Sequence, residues 1–174
     1  MHDGRQSPDL AELVEQHYVL VYRYAYRLSG SACDAEDLAQ QTFLTAQRKL
    51  DQLRDPSRAK GWLCAIVRNA YLKDLRTGNG HRAVSLETVA EPAGREERDT
   101  PIDLEELQAA IDELPEEFRA PLVLFYFQEF TYRDIADQME IPVGTVMSRL
   151  ARAKQHLRRR LATREPAVTD LPPG

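Results

Sequence analysis

Apolar residues in this 174-residue chain recur every three or four positions through most of its length, and no stretch alternates apolar and polar residues singly for the length of a strand. Only an α-helix gathers that spacing into one continuous stripe, so the sequence specifies an all-α fold in which each helix buries one face. Three stripes fill the first part: Leu10, Leu13, Val14, His17/Tyr18, Val21, Ala25 and Leu28; then Ala35, Leu38, Ala39, Thr42, Phe43, Ala46 and Leu50; then Trp62, Leu63, Ile66, Val67, Ala70 and Tyr71. Their ends are punctuated. Pro8 suits a first turn and Ser29-Gly30 a stop, Ser31 to Asp34 has capping-box spacing, Asp55-Pro56 reads as a cap with a first-turn proline, and Thr77-Gly78 closes the third helix. Short joints between three helices predict one compact bundle over residues 8–77.

Residues 78–101 break the pattern with three glycines, two prolines, five acids and three arginines, and read as a flexible linker. Helical spacing resumes with Ile102, Leu107, Ala110, Ile111 and Leu114, then restarts at Pro115 through Phe118, Leu122, Val123 and Tyr126. Pro121 removes a backbone hydrogen bond inside this second stretch and is expected to kink it. Two shorter helices, over about 132–138 and 143–161, complete a second module spanning 102–162, and residues 163–174 read as a disordered tail. The fold class is therefore two small helical domains joined by a linker.

Several function classes drop out. No run of apolar residues approaches the roughly 20 needed to cross a bilayer, and the N-terminal MHDGRQSPDL lacks the basic start and apolar stretch of a signal peptide, so membrane insertion is not expected and the cytoplasm is. Cys33 and Cys64 form no Cys-x-x-Cys pair and read as small apolar side chains in a reduced compartment. His2, His17, His81 and His156 are scattered and no glycine-rich phosphate cradle occurs, so neither a catalytic centre, a metal site nor a cofactor is expected.

Charge is segregated along the chain. The net charge is -5, yet residues 143–164 hold seven Lys or Arg and no acid, whereas residues 103–117 hold seven acids and no base. Such a chain presents one basic face to DNA while its acidic remainder opposes indiscriminate binding, which points to a partner that helps it onto DNA.

The basic segment opens on a pattern with the physical requirements of a helix-turn-helix. Thr131 and Asp134 are spaced as a capping box, Ala136 is small where two helices must cross, and Ile135, Met139, Ile141 and Val146 supply a core between them. Pro142 fits the opening of a second helix whose first residues would face base edges, with Arg149, Arg152, Lys154, Arg158, Arg159 and Arg160 behind them for phosphates. A helical hairpin with a solvated basic tail is the bland alternative; the single sign of the charge and the small Gly144, Thr145 and Ser148 argue against it.

The run from Ile141 to Lys154, IPVGTVMSRLARAK, preceded by Leu114-Pro115-Glu116-Glu117-Phe118-Arg119, resembles region 4 of the extracytoplasmic-function (ECF) class of the bacterial sigma-70 family. Independently, Asp34 to Phe43, DAEDLAQQTF, is similar to that family's polymerase-binding helix in region 2, and Gly61 to Asn69, GWLCAIVRN, to its promoter-melting helix. The two signatures stand in the family's order and cover about residues 8–162. The resemblance implies a protein that binds core RNA polymerase and directs promoter-specific transcription initiation.

Site residues follow from that resemblance. Asp34, Glu36, Asp37, Gln40 and Gln41 are implied to dock on the clamp helices of the beta-prime subunit. Asp51, Arg54, Ser57, Arg58, Lys60, Trp62, Arg68, Asn69, Lys73 and Arg76 are implied to read and melt the minus-ten element, with Trp62 divided between core packing and the melted junction. Thr131, Arg133, Val143, Gly144, Thr145, Met147, Ser148, Arg149, Arg152 and Lys154 are implied to meet the minus-thirty-five element. Further implied partners are the beta flap and an anti-sigma protein, and the linker is implied to run through the polymerase channel. Departures from the family pattern are Glu140 and Glu129-Phe130 at turns that more often carry glycine, and Met147 and Ala151 on the recognition helix. The rival from another class is a stand-alone helix-turn-helix regulator, which leaves the first 77 residues without a role.

Overall fold

The computed structural model describes residues 9–78 and 103–162. The linker and tail expected from the sequence lie outside the described residues, apart from Gly78. Among the described residues seven α-helices form: α1 (Leu10–Ser29), α2 (Ala32–Arg48), α3 (Ala59–Thr77), α4 (Leu104–Asp112), α5 (Glu116–Gln128), α6 (Tyr132–Met139) and α7 (Val143–Ala162). Two turns of 3-10 helix, Leu50–Gln52 and Pro56–Arg58, bridge α2 to α3. Among the described residues there is no strand, as the missing period-two alternation predicts.

Most helix ends fall where the punctuation puts them, because each cap satisfies backbone groups that the helix leaves unpaired; the first-turn place expected for Pro8 lies outside the described residues, and α1 starts at Leu10 on an Asp9 cap. The Asp9 carboxylate accepts from the Ala11 N–H at 3.3 Å, and Gly30 stops α1 in the left-handed conformation at φ 71°. Ser31 Oγ accepts from the Asp34 N–H at 3.3 Å to start α2. Asp55 begins the 3-10 turn that leads into α3, accepting from both the N–H and the hydroxyl of Ser57 at 3.0 and 2.7 Å, and these bonds hold its carboxyl below the ordinary aspartate range. Gly78 ends α3 at φ 79°. Pro121 lies within a single helix, α5, that continues to Gln128.

In the first bundle Val21, Tyr24, Ala25 and Leu28 of α1 meet Ala35, Leu38, Ala39 and Ala46 of α2 and Leu63, Cys64, Val67 and Tyr71 of α3, all buried. The alanines on α2 allow close approach of the helix axes; Thr42, also inside, turns its hydroxyl back to the Leu38 carbonyl at 2.7 Å. Truncating one of the larger residues, Leu38→Ala for example, would cost about 2–5 kcal/mol. Tyr18, placed on the stripe by spacing, is 44% exposed and stacks on Tyr22 and Phe43, whereas Tyr24 is the aromatic that fills the core.

The second module does not stand apart. Its helix α5 buries Phe118, Ala120, Leu122, Val123 and Leu124, residues that point in several directions round the helix, and one continuous core runs from α1–α3 into α4–α7. A helix apolar on most of its circumference needs cover on more than one side, and α1 supplies it. The fit is close at Gly30, where an added side-chain carbon would overlap the Asp112 carboxylate of α4. At the centre lies Arg119, 2% exposed, with all three guanidinium nitrogens engaged. Its Nε donates to the Leu114 carbonyl at 3.1 Å, Nη1 to the Leu28 carbonyl and to the Tyr71 hydroxyl, and Nη2 to the Asp112 and Leu114 carbonyls. These carbonyls belong to the ends of α1 and α4, where helices leave acceptors unpaired and the dipole favours a cation.

Candidate nucleic-acid interface

The helix-turn-helix is built from α6 and α7. Thr131 and Asp134 form a reciprocal capping box: Asp134 N–H donates to Thr131 Oγ1 and Thr131 N–H to Asp134 Oδ2, both at 3.1 Å. The Thr131 hydroxyl also donates to Asp134 at 2.6 Å, and these bonds hold the Asp134 carboxyl below its usual range. At the turn Glu140 sits in the left-handed region at φ 55°, and the Ile141 N–H reaches back to the Ala136 carbonyl at 3.0 Å. Glutamate is strained there by about 1 kcal/mol relative to glycine. Glu129 repeats the arrangement after α5 at φ 58°. The Pro142 carbonyl accepts the Thr145 and Val146 N–H groups and so opens α7. Ile135, Ala136, Met139, Val146, Leu150 and Ala153 lock the two helices together.

That packing leaves a defined outward face on α7. Val143, Gly144, Met147, Ser148, Arg152 and Lys154 are exposed, Thr145 is half-buried, and no acidic residue lies on the helix. Gly144 has open space where a side chain would be, and Met147 is 52% exposed. Arg133 and Thr131 are exposed at the start of α6. Arg149 differs from its neighbours: it is half-buried, and its guanidinium lies 3.8 Å from the Glu117 carboxylate. Behind the face, Arg160 pairs with Glu113 at 2.7 Å, so part of the acidic segment of α4–α5 neutralises the back of α7 and leaves the front positive.

On the first bundle, α2 turns Glu36, Asp37, Gln40 and Gln41 to solvent, with Asp34 half-buried at its start. Leu44, 53% exposed, extends the same face. Carboxylates and amides around an apolar contact suit a basic, amphipathic partner helix.

The loop and α3 carry the remaining residues. Asp51, Arg54, Ser57 and Arg58 are exposed around Leu53, whose buried side chain pins the loop against Leu13 and Ala59. Trp62 is half-buried and packs against both this small cluster and the main core, so it is a packing element that keeps part of its surface accessible. Asn69, Lys73 and Arg76 are exposed along α3. Lys60 and Arg68 are not. Lys60 Nζ donates to the Gln128 carbonyl and lies 5.1 Å from the centre of the Phe130 ring, and Arg68 Nε pairs with Glu116 at 2.8 Å.

The sequence assigns no contact to Arg27, Gln108, Glu116, Arg119 or Phe130, although Glu116 and Arg119 lie within the region 4 signature and Phe130 at a departure from it. The legible signal was α5 itself, apolar over too much of its surface for a helix with one buried stripe. Burial pushes the Cys64 thiol up to about 12, so it stays protonated and unreactive. Among the described residues no helix is long and apolar enough to cross a membrane.

Comparison with known proteins matches both halves. The family model for sigma-70 region 2 matches residues 13–80, and that for sigma-70 region 4 matches residues 104–157. The chain is 37% identical over 169 residues to the ECF RNA polymerase sigma factor SigE of Mycolicibacterium smegmatis, covering 92% of this chain and 64% of that protein's length. It is 32% identical to the ECF sigma factor SigL of Mycobacterium tuberculosis, covering 90% of each. Its structure resembles that of the sigma factor RpoE, solved with the anti-sigma factor NepR from Bartonella quintana, with a TM-score of 0.70 and 26% identity over 90% of this chain and 99% of that one. The matched region 2 gives the first helices the role that a stand-alone regulator leaves unexplained. With both signature regions in order, and with a relative alike over nine-tenths of each sequence, this chain belongs to the ECF class of the sigma-70 family of RNA polymerase sigma factors.

Proposed function

We propose that this chain binds core RNA polymerase in the cytoplasm and directs it to a particular set of promoters, contributing recognition and strand opening but no catalytic chemistry of its own. The observation that carries this reading is the pairing of two outward faces on one molecule: an acid-free, cationic face on α7 and an acidic, amide-rich face on α2.

Residues 8–77 act as region 2. Asp34, Glu36, Asp37, Gln40 and Gln41 engage the beta-prime clamp helices through charge complementarity. Exposed Arg54, Ser57, Arg58 and Asp51 surround a flipped base of the minus-ten element, and Asn69, Lys73 and Arg76, joined by Lys60 and Arg68, follow the single strand. Residues 102–162 act as region 4. Gly144, Thr145, Met147, Ser148 and Arg152 face base edges of the minus-thirty-five element, while Thr131, Arg133, Val143, Arg149 and Lys154 hold phosphates or the edge of the groove. The beta flap supports region 4, residues 78–101 join the two regions, and an anti-sigma protein restrains the chain between uses.

Gel filtration with core polymerase tests the reading. The chain should co-elute with the core enzyme, and Asp37→Lys combined with Gln40→Ala should abolish co-elution while leaving the circular dichroism spectrum unchanged. A double variant that still co-elutes overturns the docking role of α2.

A further inference from the structure

Helix α7 turns two parallel rows of side chains to solvent. One is Val143, Met147 and Ala151; beside it runs Gly144, Ser148 and Arg152, and every member of both rows is exposed. Residues four apart stack on one face of a helix, so each row is continuous along its length. The rows differ in chemistry. The second is small or polar and ends in a cation, which suits phosphates and hydrogen-bonding base edges. The first is apolar throughout, and it lies between that polar row and the buried stripe of Val146, Leu150 and Ala153. Neither Val143, 41% exposed, nor Met147, 52% exposed, joins the hydrophobic core that Ile141 and Leu157 border. Two large apolar side chains left to water on an acid-free, cationic helix call for an apolar group carried by a polyanion.

We propose that Val143 and Met147 read the C5-methyl groups of thymines in the major groove, so that thymine at one or two places in the minus-thirty-five element is a specificity determinant of this chain. This rests on the reading of α7 as the helix that meets duplex DNA. The thymine methyl is the one apolar group on the major-groove edges of the bases, every other feature there being a hydrogen-bond donor or acceptor. Cytosine carries no methyl at the same carbon and offers an amino donor that Val143 cannot accept. Residues at the start of a recognition helix go deepest into the groove, which places Val143 and Met147 there and leaves the shorter Ala151 farther out. Gly144 neighbours both on the helix surface and has open space where a side chain would be, so nothing beside them holds the base edges away. A rise of about 1.5 Å per residue sets Val143 and Met147 roughly 6 Å apart along the helix. That spans at most about two base steps of roughly 3.4 Å.

The test uses the full chain with core polymerase. Duplexes of promoter length and random sequence are selected for binding, and each thymine in the recovered minus-thirty-five element is then replaced singly by deoxyuridine, which removes the methyl and keeps every hydrogen-bonding group. Affinity should fall about threefold to fivefold at one or two thymines no more than two steps apart, the loss for one methyl withdrawn from apolar contact. Met147→Ala should weaken binding to the thymine duplex by a similar factor and no longer distinguish it from the deoxyuridine duplex at one of those positions. Met147→Gln, which keeps the length and helix preference of the side chain, should lose the same discrimination; a merely structural role for Met147 would weaken both duplexes equally. Deoxyuridine tolerated at every position, or a loss of equal size in the parent and both variants, overturns the inference. If Arg152→Ala still weakens binding in that case, the reading of α7 stands and the methyl contact alone falls. If Arg152→Ala and Met147→Gln both bind as the parent does, α7 is not the duplex-reading helix and both fall together. Variants that keep their affinity for DNA and lose it for core polymerase assign the apolar row to a protein contact and likewise overturn the proposal.

Discussion

Replacing Arg119 by Met keeps most of the side-chain volume and removes all the guanidinium donors from the centre of the molecule. In the parent chain the guanidinium serves the carbonyls of Leu28, Asp112 and Leu114 and the Tyr71 hydroxyl. The bonds to Leu28, Leu114 and Tyr71 are buried, while the one to Asp112 lies where water partly reaches. A buried acceptor left without a donor costs about 1–3 kcal/mol, so the stranded Leu28 and Leu114 carbonyls dominate the loss. Removing a desolvated charge offsets part of it, which leaves an expected destabilisation of about 3–5 kcal/mol. That is a large fraction of the roughly 5–15 kcal/mol available to a domain of this size. Urea unfolding followed by circular dichroism reads the change as a lower midpoint. Because Arg119 ties α1 and α3 to α4, the transition should also broaden or split as the two modules unfold separately. Arg119→Lys should recover less than half of the loss, since a single ammonium cannot span carbonyls that a planar fork reaches together. If Arg119→Met unfolds within about 1 kcal/mol of the parent with an unchanged slope, the buried arginine does not couple the modules and this reasoning is wrong.

Other outcomes follow from the same geometry. Glu140→Gly relieves a left-handed glutamate and should raise stability by about 0.5–1 kcal/mol in urea unfolding, whereas Glu140→Val should lower it. Arg152→Ala, on the exposed face of α7, should weaken binding to a minus-thirty-five duplex by about 1–3 kcal/mol in a mobility-shift titration without altering thermal stability. Burial, reinforced by Lys60, lowers the pKa of His17, and burial lowers that of His156 against the opposing pull of Glu113. Both are therefore neutral in the fold at pH values where an unfolded histidine begins to protonate. Stability should be flat above about pH 7 and fall as pH drops through the unfolded histidine range near 6.5, and His17→Gln with His156→Gln should flatten that slope in thermal melts.

Helix positions and their caps were legible because both rest on local rules. Gly30 and Gly78 take the left-handed stops that their sequence context called for, and Thr131 with Asp134 forms the capping box that its spacing announced. The helix-turn-helix core was legible residue by residue, since Ile135, Ala136, Met139 and Val146 meet within twelve positions of one another. The contact between modules was not. Arg68 and Glu116, or Arg27 and Gln108, are separated by 48 and 81 positions, and nothing local distinguishes a cation that will face a carboxylate from one that will face solvent. Arg119 stands in an apolar run where periodicity assigns no role to a charge, because its partners are helix-end carbonyls that no side-chain pattern encodes. Arg149 is a smaller instance: its place on the recognition helix suggested a free cation, and Glu117 of α5 lies beside it.

Run-off transcription with purified core polymerase on a library of promoter fragments puts the central claim under the most direct strain. The account predicts transcripts that appear only when this chain is added, from fragments sharing an upstream and a downstream element, and that vanish with Arg152→Ala or with Asp37→Lys plus Gln40→Ala. Core enzyme that stays silent, while the chain alone binds those fragments as a homodimer, would contradict it.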